Sequence, residues 1–161
     1  GNGALEIYVA DNRTTKDKLW KGRKSIAEAV WSYASVQIAN EDIVVPTSRC
    51  AELMDGLQKI CAECNVKYAA YGHLGDGNMH ISLYLEDETP QWKDIINNVK
   101  YALYDLVAQL GGTLTGEHGV GLKRAHDVTR FLDSTQIDLI KRVKIAFDPD
   151  NILNPGKIVP W

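Results

Sequence analysis

Across the 161 residues of this chain, no apolar run approaches the roughly 20 residues that a membrane-spanning helix requires, and no secretory leader pattern opens it. Positive charge is neither abundant nor concentrated. The chain has 18 basic and 21 acidic residues for a net charge of −3, and no run of Lys or Arg exceeds two. That argues against a nucleic-acid partner, because such binding rests on neutralising phosphates with a basic patch. Cysteine is scarce, with three in all; an odd count without a disulfide framework suits a reducing, cytoplasmic compartment. Internal repeats, low-complexity tracts and long charge blocks are missing, and with them the usual signs of a solenoid or an interaction tail. The length fits one ordinary domain able to bury a core.

The apolar residues set the expected elements. Leu5–Val9 reads as a short strand, and residues from about 16 to 39 as a helix with Leu19, Ile26, Val30 and Tyr33 on one face. Residues 42–46 read as a strand closed by Pro46. A helix capped by Thr47 or Ser48 then runs to about Asn65. Cys61-Ala62-Glu63-Cys64 is a CxxC, yet Cys50, Leu53, Met54, Leu57, Ile60, Cys61 and Cys64 fall on one helical stripe. Core packing is therefore expected of all three thiols, rather than metal or redox work. Residues 66–73 and 78–86 form a hairpin. Thr89-Pro90 opens a helix whose stripe includes Trp92, Ile96, Val99, Leu103 and Val107, and Gly111-Gly112 ends it. Residues 113–115 read as a brief strand and 134–147 as a helix, with Asp133 and Gln136 forming a capping box. From residue 42 to 115 the order is strand, helix, strand, strand, helix, strand. It predicts an α+β fold: a ferredoxin-like antiparallel sheet with its helices on one face, plus C-terminal helices.

The chemistry gathers at His73-Leu74-Gly75-Asp76-Gly77-Asn78-Met79-His80. Asp-Gly between alternating apolar residues signals a two-residue turn, which would set His73 directly opposite His80, near enough to share one metal ion. His73, His80, Ser82 and Tyr84 would then share an open sheet face that something else must cover. Gly116-Glu117-His118-Gly119 follows the last brief strand. Glu117 can complete a His–His–Glu metal set, with His118 beside it as a general base; the other reading is that both merely cap a helix near residues 122–130. Arg23 offers a guanidinium fork for a carboxylate, or is simply a surface residue. Residues 154–157 are a turn by composition.

Together these segments carry a resemblance. Residues 72–80, Gly116-Glu117-His118-Gly119, Phe147-Asp148-Pro149 and Asn151-Ile152-Leu153-Asn154-Pro155-Gly156-Lys157 resemble the C-terminal domain of FAD-linked oxidases, in the group of D-lactate dehydrogenases and glycolate oxidase flavin subunits. Trp20-Lys21-Gly22-Arg23-Lys24 and Val45-Pro46-Thr47-Ser48-Arg49 extend the likeness from residue 17 to the end. The resemblance implies oxidation of D-2-hydroxy acids to 2-oxo acids by hydride transfer to FAD. It further implies His73, His80 and Glu117 as ligands of a divalent metal, zinc or manganese; His118 as the base; Arg23 on the substrate carboxylate; and Asn154 near the flavin. Relatives acting on 2-hydroxyglutarate carry a lysine and an asparagine where Asn40 and Ser82 stand here, which points to a lactate- or glycolate-like substrate. The expected partners are an N-terminal FAD-binding domain and an iron–sulfur electron-transfer protein, through which the enzyme could lie at a membrane periphery. No glycine-rich flavin region precedes residue 17, so residues 1–161 read as the C-terminal domain of something larger, inactive alone. The rival from another class is a stand-alone ferredoxin-like module that binds metal or a small ligand without catalysis; a third reading keeps the histidines purely structural.

Overall fold

A computed structural model describes residues 3, 5–33 and 37–161. The chain divides into two compact units, residues 1–34 and 35–161. In the first, helix α1 (Arg13–Lys24) starts where the Asn12 side chain accepts the Thr15 N–H at 2.9 Å. Helix α2 (Ile26–Tyr33) follows at once. The single helix expected over residues 16–39 is thus interrupted at Ser25, whose hydroxyl donates to the Gly22 carbonyl and competes with the backbone ladder. Its expected end is strand instead, and residues 34–36 lie outside the described residues. The strand expected at Leu5–Val9 is also not seen: the segment is irregular, with Leu5, Ile7, Tyr8 and Val9 exposed. No partner strand flanks it among the described residues, and an unpaired strand has nothing to hold it.

The second unit is built on strands β1 (Ile38–Val44), β2 (Lys67–His73) and β3 (Asn78–Tyr84), in the antiparallel order β1-β3-β2. An isolated antiparallel bridge between Val44 and Thr113 sits where the fourth strand was expected. The ferredoxin-like order is present, with its last strand reduced to one residue pair. β1 begins at Ile38, where it pairs with Tyr84, earlier than the expected residue 42, and it ends before Pro46, which has no N–H to extend the ladder.

Helix α3 (Cys50–Glu63) is preceded by a 3₁₀ turn at Thr47–Arg49, and neither Thr47 nor Ser48 caps it. It ends with Asn65 in the left-handed region (φ 51) while the Val66 N–H reaches back to the Cys61 carbonyl at 2.9 Å, a closure that satisfies orphan carbonyls. Helix α4 (Trp92–Gln109) starts two residues after the expected Pro90. It closes in the same way, with Gly111 at φ +75 and the Gly112 N–H on the Val107 carbonyl at 2.8 Å. Helix α5 (Ser134–Phe147) carries both bonds of the Asp133–Gln136 capping box. No continuous helix forms over residues 122–130, only turns and a 3₁₀ turn at Val128–Arg130.

The core joins Ile43, Ile81 and Leu83 of the sheet to Leu53 and Leu57 of α3 and Val99, Leu103 and Val107 of α4, all with essentially no exposure. Each such side chain contributes roughly 1.5–3 kcal/mol by leaving water. Gly56 on α3 lies where a Cβ would meet the Leu106 side chain at 2.4 Å, so α4 can approach closely. Cys50 and Cys61 join this core as expected, whereas Cys64 is exposed. It occupies the helix end, past the buried stripe.

Candidate metal centre

Strand alternation decides which side chains meet. In β1, β3 and β2 the aligned residues are Val44, Asn78 and His73; then Asp42, His80 and Tyr71; then Asn40, Ser82 and Ala69. All of these share the face away from Ile43 and Ile81. His73 therefore pairs with Asn78 and not with His80. The turn is the four-residue loop Leu74–Gly77, in which the Asp76 N–H donates to the His73 carbonyl and the Asn78 N–H to Asp76 Oδ1. Gly77 explains the wider loop. Its carbonyl accepts the Val45 N–H at 3.2 Å, its φ is +78, and a Cβ there would lie 1.9 Å from the Val45 carbonyl oxygen. This register differs from the expected one by two residues, an even number, so both histidines keep the same face. Their rings stand 5.6 Å apart, edge to face.

Glu117 completes the group. Its Oε1 lies 3.1 Å from His80 Nε2, 3.9 Å from His73 Nε2 and 3.5 Å from His118 Nε2. Two ligands of one tetrahedral ion, each bonded at 2.0–2.1 Å, sit about 3.3 Å apart. The pairs made by Glu117 with His73 and His80 straddle that value, so His73, His80 and Glu117 fit a single divalent cation. The His118 ring stacks on His80, with centroids 5.2 Å apart and planes at 18°. His118 is the more accessible of the two, its side chain 60% exposed against 11% for His80.

Sequence reasoning missed Asp42, which organises the rest. Its side chain is 1% exposed. Oδ2 accepts the Thr115 hydroxyl and the N–H groups of Gly116, Glu117 and His118, all at 2.9–3.1 Å. Burial works against this carboxylate's charge, but those four donors outweigh it and hold the pKa down at about 2. Burial, aided by the charges of His118 and His73, pushes His80 below the ordinary imidazole value against the opposing pull of Asp42 and Glu117. Neutral imidazole is the form that binds metal. The adjacent Glu41 points the other way, into the helix side, where Tyr104 Oη (2.5 Å), Lys123 (2.9 Å) and Arg124 (3.3 Å) surround it. Burial and Glu41 together push the Tyr104 hydroxyl pKa up. Arg124 also donates to the Gly119 carbonyl. Two consecutive strand residues thus pin the segment carrying Glu117 and His118 at both ends. Two acidic residues inside a strand are unfavourable by propensity, and that anomaly was the available signal.

The sheet face is consequently less open than expected: His80 and Ser82 are buried, and Tyr84 is partly so. Asn78 is buried beneath Gly116, where a Cβ would strike its side-chain nitrogen at 2.1 Å. Arg23 is half-buried on α1 of the first unit. Asn154 is exposed in the turn after Asp148, in the left-handed region at φ 48, and among the described residues no hydrogen bond joins it to the histidines.

An α+β domain with a histidine–carboxylate cluster on the sheet face opposite its helices is the class that fold and site define. The chain belongs to the family of FAD linked oxidases, C-terminal domain, whose pattern matches residues 1–158. It is 34% identical over 97% of its length to a D-lactate dehydrogenase of Anaerostipes hadrus, covering 33% of that protein. Against a D-lactate dehydrogenase of Archaeoglobus fulgidus it is 32% identical over 98% of its length, covering 34%. Against the glycolate oxidase subunit GlcD of Bacillus subtilis it is 32% identical over 96%, covering 33%. The chain spans about a third of the length of these relatives. Among the described residues no helix is long and apolar enough to cross a membrane.

Proposed function

We propose that this chain is the substrate-covering domain of a flavin-dependent oxidoreductase that converts small D-2-hydroxy acids, lactate- or glycolate-like, to 2-oxo acids. The observation that carries the reading is the convergence of three imidazole Nε2 atoms on Glu117 Oε1. His73, His80 and Glu117 would hold a divalent cation, zinc or manganese, which supplies acidification of the substrate hydroxyl, while FAD, bound mainly by a domain outside these residues, supplies the hydride acceptor. His118, accessible and stacked on His80, takes the hydroxyl proton at an imidazole nitrogen. By resemblance, Arg23 forks onto the carboxylate and Asn154 lies near the flavin. Asn40 Oδ1 accepts the buried Ser82 hydroxyl at 2.6 Å. That satisfied neutral pair offers no charge to a second carboxylate, which supports a small monocarboxylic substrate. Electrons would leave through an iron–sulfur partner, in the cytoplasm or at a membrane periphery.

The test uses the full-length protein. Anaerobic D-lactate or glycolate should bleach its flavin. His118→Asn should lower kcat by about 10²–10⁴-fold while metal content stays, and His80→Ala should lose metal and turnover together. Arg23→Lys should mainly raise KM, since an ammonium keeps the charge but loses the fork. Near-normal turnover by metal-loaded His118→Asn would remove His118 from the chemistry. Failure of every 2-hydroxy acid to reduce the flavin would overturn the reading.

A further inference from the structure

We infer that Asp42 is a positioning residue that fixes the tautomer of His80, so that Nε2 is presented to the cation as a lone pair. The inference rests on the metal reading above and assigns a role to a residue outside it. The two oxygens of Asp42 have different surroundings. Oδ2 is saturated by the Thr115 hydroxyl and three backbone N–H groups. Oδ1 is buried without a hydrogen-bond partner, and His80 Nδ1 stands 3.5 Å from it. A buried carboxylate oxygen gains from the nearest available donor, and that donor is an N–H on His80 Nδ1. A proton on Nδ1 leaves Nε2 as a lone pair toward Glu117 Oε1 at 3.1 Å, two acceptors that a shared cation between them would reconcile. His80 is a cross-strand neighbour of Asp42 and its side chain is only 11% exposed, so water competes little for either nitrogen. Because the same carboxylate holds the backbone of Glu117 and His118, it positions a ring and a loop at once. Outer carboxylates that accept from a metal-bound imidazole act in this way.

Asp42→Asn separates the two tasks. The carboxamide oxygen can keep the four donors now on Oδ2, but its NH₂ then faces His80 Nδ1 and forces the proton onto Nε2. In the full-length protein, stripped of metal and titrated with Zn²⁺ against a chromophoric chelator, Asp42→Asn should bind about 10–100-fold more weakly than wild type. The metal-free variant should still fold, melting below wild type because the charge that four donors stabilise is gone. Equal Zn²⁺ affinity in a folded Asp42→Asn protein overturns the inference. If the variant does not fold, the wild type still decides: ¹⁵N–¹H spectra of the Zn²⁺-loaded protein should show a His80 Nδ1–H protected from solvent exchange by Asp42, and a freely exchanging Nδ1–H overturns it. If wild type binds no Zn²⁺, the metal reading fails and this inference with it; Zn²⁺ binding that Asp42→Asn leaves unchanged overturns the inference alone.

Discussion

Asp42 keeps its charge where water barely reaches, because four donors from residues 115–118 converge on one of its oxygens. The linkage follows from the sign of its shift. The folded pKa of about 2 lies below the unfolded value near 3.8, so the carboxylate stabilises the fold above the unfolded value. That stabilisation, about 2–3 kcal/mol, is lost as pH falls through the folded value. Denaturant melts of the metal-free protein between pH 6 and pH 2 should therefore show a steeper acid loss for wild type than for Asp42→Ala; parallel curves would contradict it. Gly77 is constrained differently. With φ at +78 and the Val45 carbonyl where a Cβ would go, Gly77→Ala should cost more than the roughly 1 kcal/mol of an ordinary left-handed alanine. Its cost should clearly exceed that of Gly75→Ala in the same loop, where nothing lies within 4 Å of a Cβ.

At the scale of elements, α3 shows how a helical stripe ends. Cys50 and Cys61 are buried among Leu53 and Leu57, and burial raises the Cys61 thiol to about 11. Cys64 lies at the end of the same stripe but stands in water. A bulky thiol reagent should label Cys64 rapidly in the native protein and leave Cys50 and Cys61 until unfolding, because inert burial protects a thiol. Fast reaction at all three would mean that α3 does not pack as described. The hairpin is the second instructive element. Its turn is two residues wider than Asp-Gly alone suggests, and the histidine face survives because the shift is even; a shift of one residue would have turned His73 away from His80.

At the scale of the whole molecule, exposed apolar residues cluster on α5 and beyond: Val143, Ile145, Phe147, Ile152 and Leu153 are each more than half exposed. Such patches mark interaction surfaces. On the proposed reading the larger part of the flavin site lies outside these residues. The isolated 161-residue chain should then retain little FAD through gel filtration, and sedimentation should show self-association that rises with concentration. Stoichiometric, tightly held flavin on this chain alone would overturn the division of labour between domains.

Periodicity alone determined α4, α5 with its capping box, the existence of the hairpin and the α+β order, because those features depend on residues close in sequence. The glycine-flanked motifs also named His73, His80, Glu117 and His118, since chemistry restricts which residue types can serve. Tertiary structure decided the hairpin register, the reduction of the fourth strand to the Val44–Thr113 bridge, the break at Ser25 and the exposure of Cys64. It also decided that Asp42, more than seventy residues from Glu117, holds the loop beside His80. Local pattern carries no information about which distant N–H groups will surround a carboxylate. That choice is made only when the sheet closes and the buried charge must find its donors.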